Sequence, residues 1–255
     1  MRNQFLDYQK ADNVIVVTLH PVKAAMDIVQ LPGDLSDLCR EIAFDDEIRV
    51  VVLTGSGETS FVIEPGTGEM PGEDEERETT SGSLAGPFAR LDLPIIAAVH
   101  GDAISQGLEL ALACDMRITS EISHFGLPNI KAGLMPWDGG TQRLSRLVGR
   151  AKAIEMILTG EMIDAQEAFR IGLVNKVVPS EKLMATVLAM AQEMASKGPI
   201  ALRYTKEAIS KGIDMTLEQG LRLEADLYLL LHTTRDRTEG IKAFRNKRAP
   251  QFEGK

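Results

Sequence analysis

Cysteine is nearly absent from the 255 residues: Cys39 and Cys114, each in an apolar, helix-patterned stretch, are too few for a disulfide scaffold. That usage implies a reducing compartment. Long hydrophobic runs are missing too, and stretches such as residues 50–53 and 94–99 fall far short of the roughly 20 apolar residues a membrane helix needs. No membrane partner is expected. Positive charge is in deficit, 28 Lys and Arg against 37 Asp and Glu, and the formal charge of −9 opposes binding to nucleic-acid backbones and anionic lipid. No nucleic-acid partner is expected either. The opening MRNQFLDYQK lacks the apolar core of a secretory signal, which makes a cytoplasmic location the expectation. Aromatics are only 5%, but 44% hydrophobic and 25% charged residues are average for a globular chain with a sizeable core.

Three β-branched apolar runs, at 14–19, 49–54 and 94–99, are separated by stretches long enough for a crossover helix each, which is the spacing of a parallel α/β sheet. Beyond residue 100, short strand candidates at 116–118 and 172–178 alternate with helical patterns at 108–113, 141–148, 151–158 and 165–169. From about 180 onward, 181–196, 200–211, 217–231 and 238–247 all read as helix, broken at Gly198-Pro199 and Gly212. The division expected is an α/β core over 1–195 and a helical region over 196–255. Residues 64–78 hold seven acids against one Arg and predict a mobile surface loop.

Several motif fragments carry little. Gly55-Ser56-Gly57 follows a strand pattern as in a dinucleotide fingerprint, but an apolar stretch stopped by Pro65 follows instead of a helix, so NAD binding is rejected. Ser105-Gln106-Gly107 is half of a nucleophile elbow with Ala103 where that turn prefers glycine. His20, His100, His124 and His232 make no zinc-ligand spacing with the cysteines, and no metal is expected.

The informative stretch is 94–149, PIIAAVHGDAISQGLELALACDMRITSEISHFGLPNIKAGLMPWDGGTQRLSRLVG. Together with RVVVLTGSGETSF upstream, AIEMILTGEMIDAQEAFRIGLVNKVVP downstream and the terminal RTEGIKAFRNKRAPQF, it resembles the enoyl-CoA hydratase/isomerase (crotonase) family over nearly the whole chain. The resemblance implies a ClpP-like spiral of ββα turns with a helical C-terminal region, assembled as a homotrimer or homohexamer. It implies no cofactor beyond coenzyme A carried as part of an acyl-CoA substrate.

It also implies site residues. Such chemistry develops negative charge on a thioester oxygen, and two backbone N–H groups aimed there stabilise it. Gln106 falls at one donor position, in Ser105-Gln106-Gly107 where the family has glycines. The other lies in Ile63-Glu64-Pro65-Gly66, where an ungapped match places Pro65, which has no amide hydrogen. Either Gly66 donates or the site has one donor fewer. Glu109 matches one family glutamate, while the position of the second is Asn129, an amide that cannot act as a carboxylate base near neutral pH. Asp138 and Glu64 are the replacement acids at hand. Asp138 reads equally well as an N-cap for a helix starting near Thr141. Substrate contacts are implied for Ala24, Ala25, Pro65, Gly107, Trp137, Phe244 and Lys247, the last two within a basic C-terminal run of Arg235, Arg237, Lys242, Arg245, Lys247 and Arg248 that would suit a nucleotide phosphate.

The function implied is an acyl-CoA lyase adding water to an enoyl-CoA, a conjugated or cyclic dienoyl-CoA included because the usual acid pair is incomplete. Three alternatives stay open: a hydrolase of a carbon–carbon bond in a β-diketone or cyclic keto-acyl-CoA through Glu109 and Asp138, a double-bond isomerase, and a non-catalytic acyl-CoA-binding protein.

Overall fold

The computed structural model describes residues 5–20, 25–57, 60–62 and 82–255. A two-residue turn at Asp12-Asn13, both with positive φ (50° and 65°), joins β1 (Leu6–Ala11) to β2 (Val14–Leu19) as an antiparallel hairpin. That left-handed pair matches the twist of the flanking strands, and Asp and Asn tolerate it. Helix α1 (Ala25–Phe44) then crosses over to β3 (Val50–Gly55), and α2 (Ala85–Ala89) precedes β4 (Ile95–Val99).

Beyond β4 the chain makes β5 (Ala103–Ile104), α3 (Gln106–Ala113), β6 (Met116–Ser120) and β7 (His124–Gly126). A 3-10 turn, Pro128–Ala132, leads to α4 (Gly140–Val148) and α5 (Arg150–Thr159), followed by β8 (Ile163–Asp164), α6 (Ala165–Arg170) and β9 (Lys176–Val178). The large sheet runs β1-β2-β3-β4-β6-β9, parallel except at β1, and β5-β7-β8 form a small second sheet. β4 is buried at every position, as a strand covered on both faces must be.

One face of the large sheet packs on α7 (Leu183–Ala195) through Leu183, Val187, Ala191 and Ala195. Their four-residue spacing makes one stripe, and burying a Leu or Val there stabilises by about 1.5–3 kcal/mol. The other face joins the main core, which includes Phe61, Phe88 and Leu108. Helices α8 (Pro199–Gly212), α9 (Leu217–Leu231) and α10 (Arg235–Arg245) follow.

Two expectations are corrected. The strand expected over 172–178 is confined to Lys176–Val178, because Gly172 turns with φ 80° and the amides of Leu173 and Val174 are tied back to the Ala168 carbonyl. The last helix starts at Arg235 rather than 238, since the Thr234 hydroxyl accepts the Arg237 amide at 3.3 Å as an N-cap. It ends at Arg245, and Lys247 then takes a left-handed φ of 52°.

Candidate active site

Helix α3 begins abruptly. Ser105, the residue before it, has φ 49° and ψ −121°, a backbone region that favours glycine, and its hydroxyl makes no capping bond. This bend turns β5 directly into α3, and it leaves Gln106 as the first helical residue, where an N–H has no carbonyl of its own helix to bond. Gly107 follows with open space where a side chain would stand.

Glu109 lies in the first turn of α3 and is fully buried. It is therefore no solvated, dipole-stabilising surface residue. Its Oε1 accepts two backbone amides, from Asp138 and Gly140, each at 2.8 Å. Its Oε2 is buried and accepts nothing. Burial pushes the Glu109 pKa up, and the Asp138 charge adds to the rise, while the two amides and the Arg143 guanidinium pull it back. The result is a carboxylate held rigidly by one oxygen with the other free to take a proton.

Gly139-Gly140 makes this grip possible. Gly139 has φ 104°, and a Cβ at Gly140 would stand 2.9 Å from Glu109 Oε1, 2.9 Å from Pro136 Cβ and 3.0 Å from Leu127 Cδ1. Gly140 thus holds Glu109 in place, a role that the sequence alone left unseen; the Gly-Gly pair ahead of a helix was its visible signal.

Asp138 is buried, and it does not cap the helix that follows it. The N-cap of α4 is Gly139, with no side-chain bond. Instead its carboxylate crosses to the start of α2: Oδ2 accepts the amides of Leu84 and Ala85 at 2.8 and 2.9 Å, and Oδ1 accepts the Ser83 hydroxyl. Ser83 Oγ also accepts the Gly86 amide at 2.6 Å. Sequence reasoning had no way to find Ser83, 55 residues from its partner.

Asn129 sits in the 3-10 turn with its Oδ1 buried and unpartnered. Trp137 is 41% exposed, and Ile130 and Leu134, a few residues before it in the chain, are exposed to the same degree. Glu64, Pro65, Gly66 and Ala24 lie outside the described residues, as does the expected acidic loop at 64–78. Ala25 opens α1. Phe244, in the last turn of α10, and Lys247, just beyond it, are exposed. Of the C-terminal cations, Arg248 is committed to a two-pronged pair with Glu239 at 2.6 and 2.8 Å, which draws that carboxyl down to about 2.

A rigidly held, buried carboxylate beside a helix N-terminus is the equipment of an acid–base enzyme that stabilises developing negative charge. Comparison with known proteins gives the family. The model of the enoyl-CoA hydratase/isomerase family matches residues 9–255. The (E)-benzylidenesuccinyl-CoA hydratase of Thauera aromatica is 40% identical over 248 residues, covering 96% of this chain and 97% of that protein. The 2,3-dehydroadipyl-CoA hydratase of Escherichia coli K12 is 42% identical over 216 residues, covering 84% of each. A crystal structure of an enoyl-CoA hydratase from Bacillus anthracis superimposes with a TM-score of 0.91 at 36% identity, covering 99% of this chain and 100% of that one. The chain belongs to the enoyl-CoA hydratase/isomerase family. It has the crotonase fold and is an enzyme of the enoyl-CoA hydratase type.

Proposed function

We propose that the chain adds water to the double bond of an enoyl-CoA with Glu109 as its single acid–base carboxylate. The observation that carries this reading is that Glu109 Oε2 and Asn129 Oδ1, at the two positions the family resemblance marks, are both buried with no hydrogen-bond partner. Leaving such atoms unpaired costs about 1–3 kcal/mol each, a cost that a bound water or substrate hydroxyl would remove. In this scheme Asn129 orients the water and ionised Glu109 takes its proton as the water oxygen bonds to the β-carbon. The electrons of the double bond pass through the α-carbon to the thioester oxygen, giving an enolate held by the backbone N–H groups of Gln106 and Gly66. Glu109 then returns the proton to the α-carbon as the carbonyl re-forms. A pKa raised by burial brings the base closer to working pH, where proton transfer is most effective.

A conjugated or cyclic dienoyl-CoA is the proposed substrate type. The name of the Thauera aromatica relative, which carries a benzylidene group on its enoyl-CoA, supports it. Trp137 and Gly107 would face the acyl part, and Ala24, Ala25, Phe244 and Lys247 the nucleotide end. Self-association into a trimer or hexamer is supported by the exposed apolar side chains of α8 and α9, Ile209, Leu217 and Leu229 among them, which are 63–79% exposed. No helix among the described residues is long and apolar enough to cross a membrane.

The test incubates the protein with crotonyl-CoA, a cyclic dienoyl-CoA and a cyclic β-diketone in deuterated water and reads products by mass spectrometry. A product heavier by one water from an enoyl-CoA is expected. Deuterium at the substrate α-carbon with no gain of water would replace hydration by isomerisation, and ring opening of the diketone alone would replace it by carbon–carbon hydrolysis.

A further inference from the structure

Asp138 stands at a junction between two parts of the fold that are far apart in sequence. Its amide donates to Glu109 Oε1, and its carboxylate receives the Ser83 hydroxyl and the Leu84 and Ala85 amides at the start of α2. Its carbonyl is taken as well, by Arg143 Nη1 at 2.8 Å. Both carboxylate oxygens are thus engaged on the protein's own donors, whereas an acid or base needs an oxygen open to the reacting atoms. Only Glu109 offers one among these two groups.

We propose that Asp138 is a positioning residue that clamps the start of α2 and, through its own amide, fixes which oxygen of Glu109 faces the reacting atoms. Helix α2 packs on α3 and α1, so the clamp sets how residues 83–85 meet the Glu109 helix. Two opening amides of α2 without helical carbonyl partners receive a charged acceptor, the role an N-cap residue plays within a single helix. Here it comes from 53 residues away. The inference rests on the reading of Glu109 as the acid–base group.

The charges around Glu109 give the clamp a second consequence. Asp138 lies just before α4, Arg143 lies on α4, and neither α2 nor β5 carries a charged residue. Asp138 pushes the Glu109 pKa up and Arg143 pulls it down. Neutralising Asp138 with its contacts kept should therefore lower that pKa and move the acid limb of the kcat/KM profile to lower pH, because the base stays ionised further down.

Three variants separate positioning from catalysis in the full-length protein: Asp138→Asn, Asp138→Ala and Glu109→Gln. Crotonyl-CoA hydration is measured across pH, together with hydrogen exchange at Leu84, Ala85 and Gly86. Asp138→Asn can still accept both α2 amides with its carbonyl oxygen, so it should keep kcat within about tenfold and show the shifted acid limb. Asp138→Ala should lose more activity and exchange faster at the three α2 amides. An Asp138→Asn loss as large as that of Glu109→Gln, about 10²–10⁴-fold with α2 exchange unchanged, would make Asp138 a proton-transfer group and overturn the proposal. Unchanged kinetics and exchange in Asp138→Ala would overturn it as well. Should Asp138→Ala fail to fold, Ser83→Ala supplies the second readout: it removes the Ser83 bond to Asp138, along with the acceptor of the Gly86 amide, and leaves both carboxylates in place, so faster exchange of the Leu84 and Ala85 amides, which Asp138 itself holds, supports the clamp and wild-type exchange there contradicts it. Retention of full activity by Glu109→Gln would instead defeat the functional reading on which the inference depends.

Discussion

Two deeply buried charges meet the two ends of α3, Glu109 from its first turn and Arg117 from β6, and the protein treats them in opposite ways. At the N-terminal end Glu109 has one oxygen tied to backbone amides and one left bare. At the other end Arg117, 4% exposed, donates to the carbonyls of Leu173 at 2.7 Å, Cys114 at 2.6 Å and Ala111 at 3.3 Å. Its charge lies where the last carbonyls of α3 concentrate negative potential, so the guanidinium both caps the helix and fastens it to the chain leading into β9. Burial pushes the thiol of nearby Cys114 up to about 12. Burial is common to both ends. What separates chemistry from architecture is whether the buried group's hydrogen-bonding capacity is used up.

That contrast predicts that the two charges fail differently when removed. Glu109→Gln should lower kcat by about 10²–10⁴ while leaving the fold intact. Its stability should show a specific pH signature. A carboxyl whose folded pKa is raised contributes stability below the ordinary carboxylate value near 4.3, and that contribution is lost as pH climbs through the raised folded value. Wild type should therefore lose stability relative to Glu109→Gln across that window. Denaturant titrations at several pH values check it, and parallel curves for the two proteins would show that Glu109 ionises as freely folded as unfolded.

Arg117→Leu is the counterpart. It strands the buried carbonyls of Leu173 and Cys114 at about 1–3 kcal/mol each, while that of Ala111 keeps the Cys114 amide, so a loss of at least about 2 kcal/mol and a fall in Tm of roughly 4–8 °C are expected by calorimetry. Activity per folded molecule should change far less than in Glu109→Gln. If kcat fell with stability unaltered, Arg117 would belong to the chemistry and the comparison between the ends would break.

The same distinction explains what the sequence revealed. Regular, buried elements were legible because their side chains repeat: the parallel strands at 14–19, 49–54 and 94–99 emerge as β2, β3 and β4 within a residue, and residues 217–231 form α9 as expected. β1 was missed since an edge strand with one buried and three exposed positions leaves no apolar run to see. β5, β7 and β8, two or three residues each, are shorter than any periodic signal. In the site, Glu109 and Asn129 stood out through the family resemblance, but the bonds that hold Glu109 run through backbone amides at Asp138 and Gly140, and those that hold Asp138 through amides at Leu84 and Ala85. Backbone donors leave no side-chain signature, and they were visible only indirectly, as Gly139-Gly140.

Gly140→Ala sharpens that point with a smaller effect. The added methyl meets the Glu109 carboxylate, Pro136 and Leu127 within 3.0 Å, so the grip on Oε1 must loosen or the loop must move. Overpacking of this kind costs about 1–3 kcal/mol. Displacing a positioned group by about 1 Å costs up to about 10²-fold in rate. A drop of at least tenfold in kcat with KM little altered is expected, and wild-type kinetics would mean that the two amides do not set the geometry of the base.

Ser105→Gly should have the smallest effect and probes the strained end directly. At φ 49° and ψ −121° the serine occupies backbone space suited to glycine, a strain worth about 1–3 kcal/mol. Against this stands the greater entropy a glycine loses on folding, about 0.5–1 kcal/mol. Because the Ser105 hydroxyl makes no capping bond, nothing else is given up. The variant should gain about 1 kcal/mol and roughly 2–4 °C in Tm. Its kinetics carry the sharper information. If the bend merely delivers the Gln106 N–H to the thioester oxygen, glycine keeps the bend and kcat stays near wild type. If the serine backbone is needed to hold that N–H rigid, a more stable protein will be a slower one, and a calorimetric gain paired with a fall in kcat would show that the strain at this end of α3 serves the reaction.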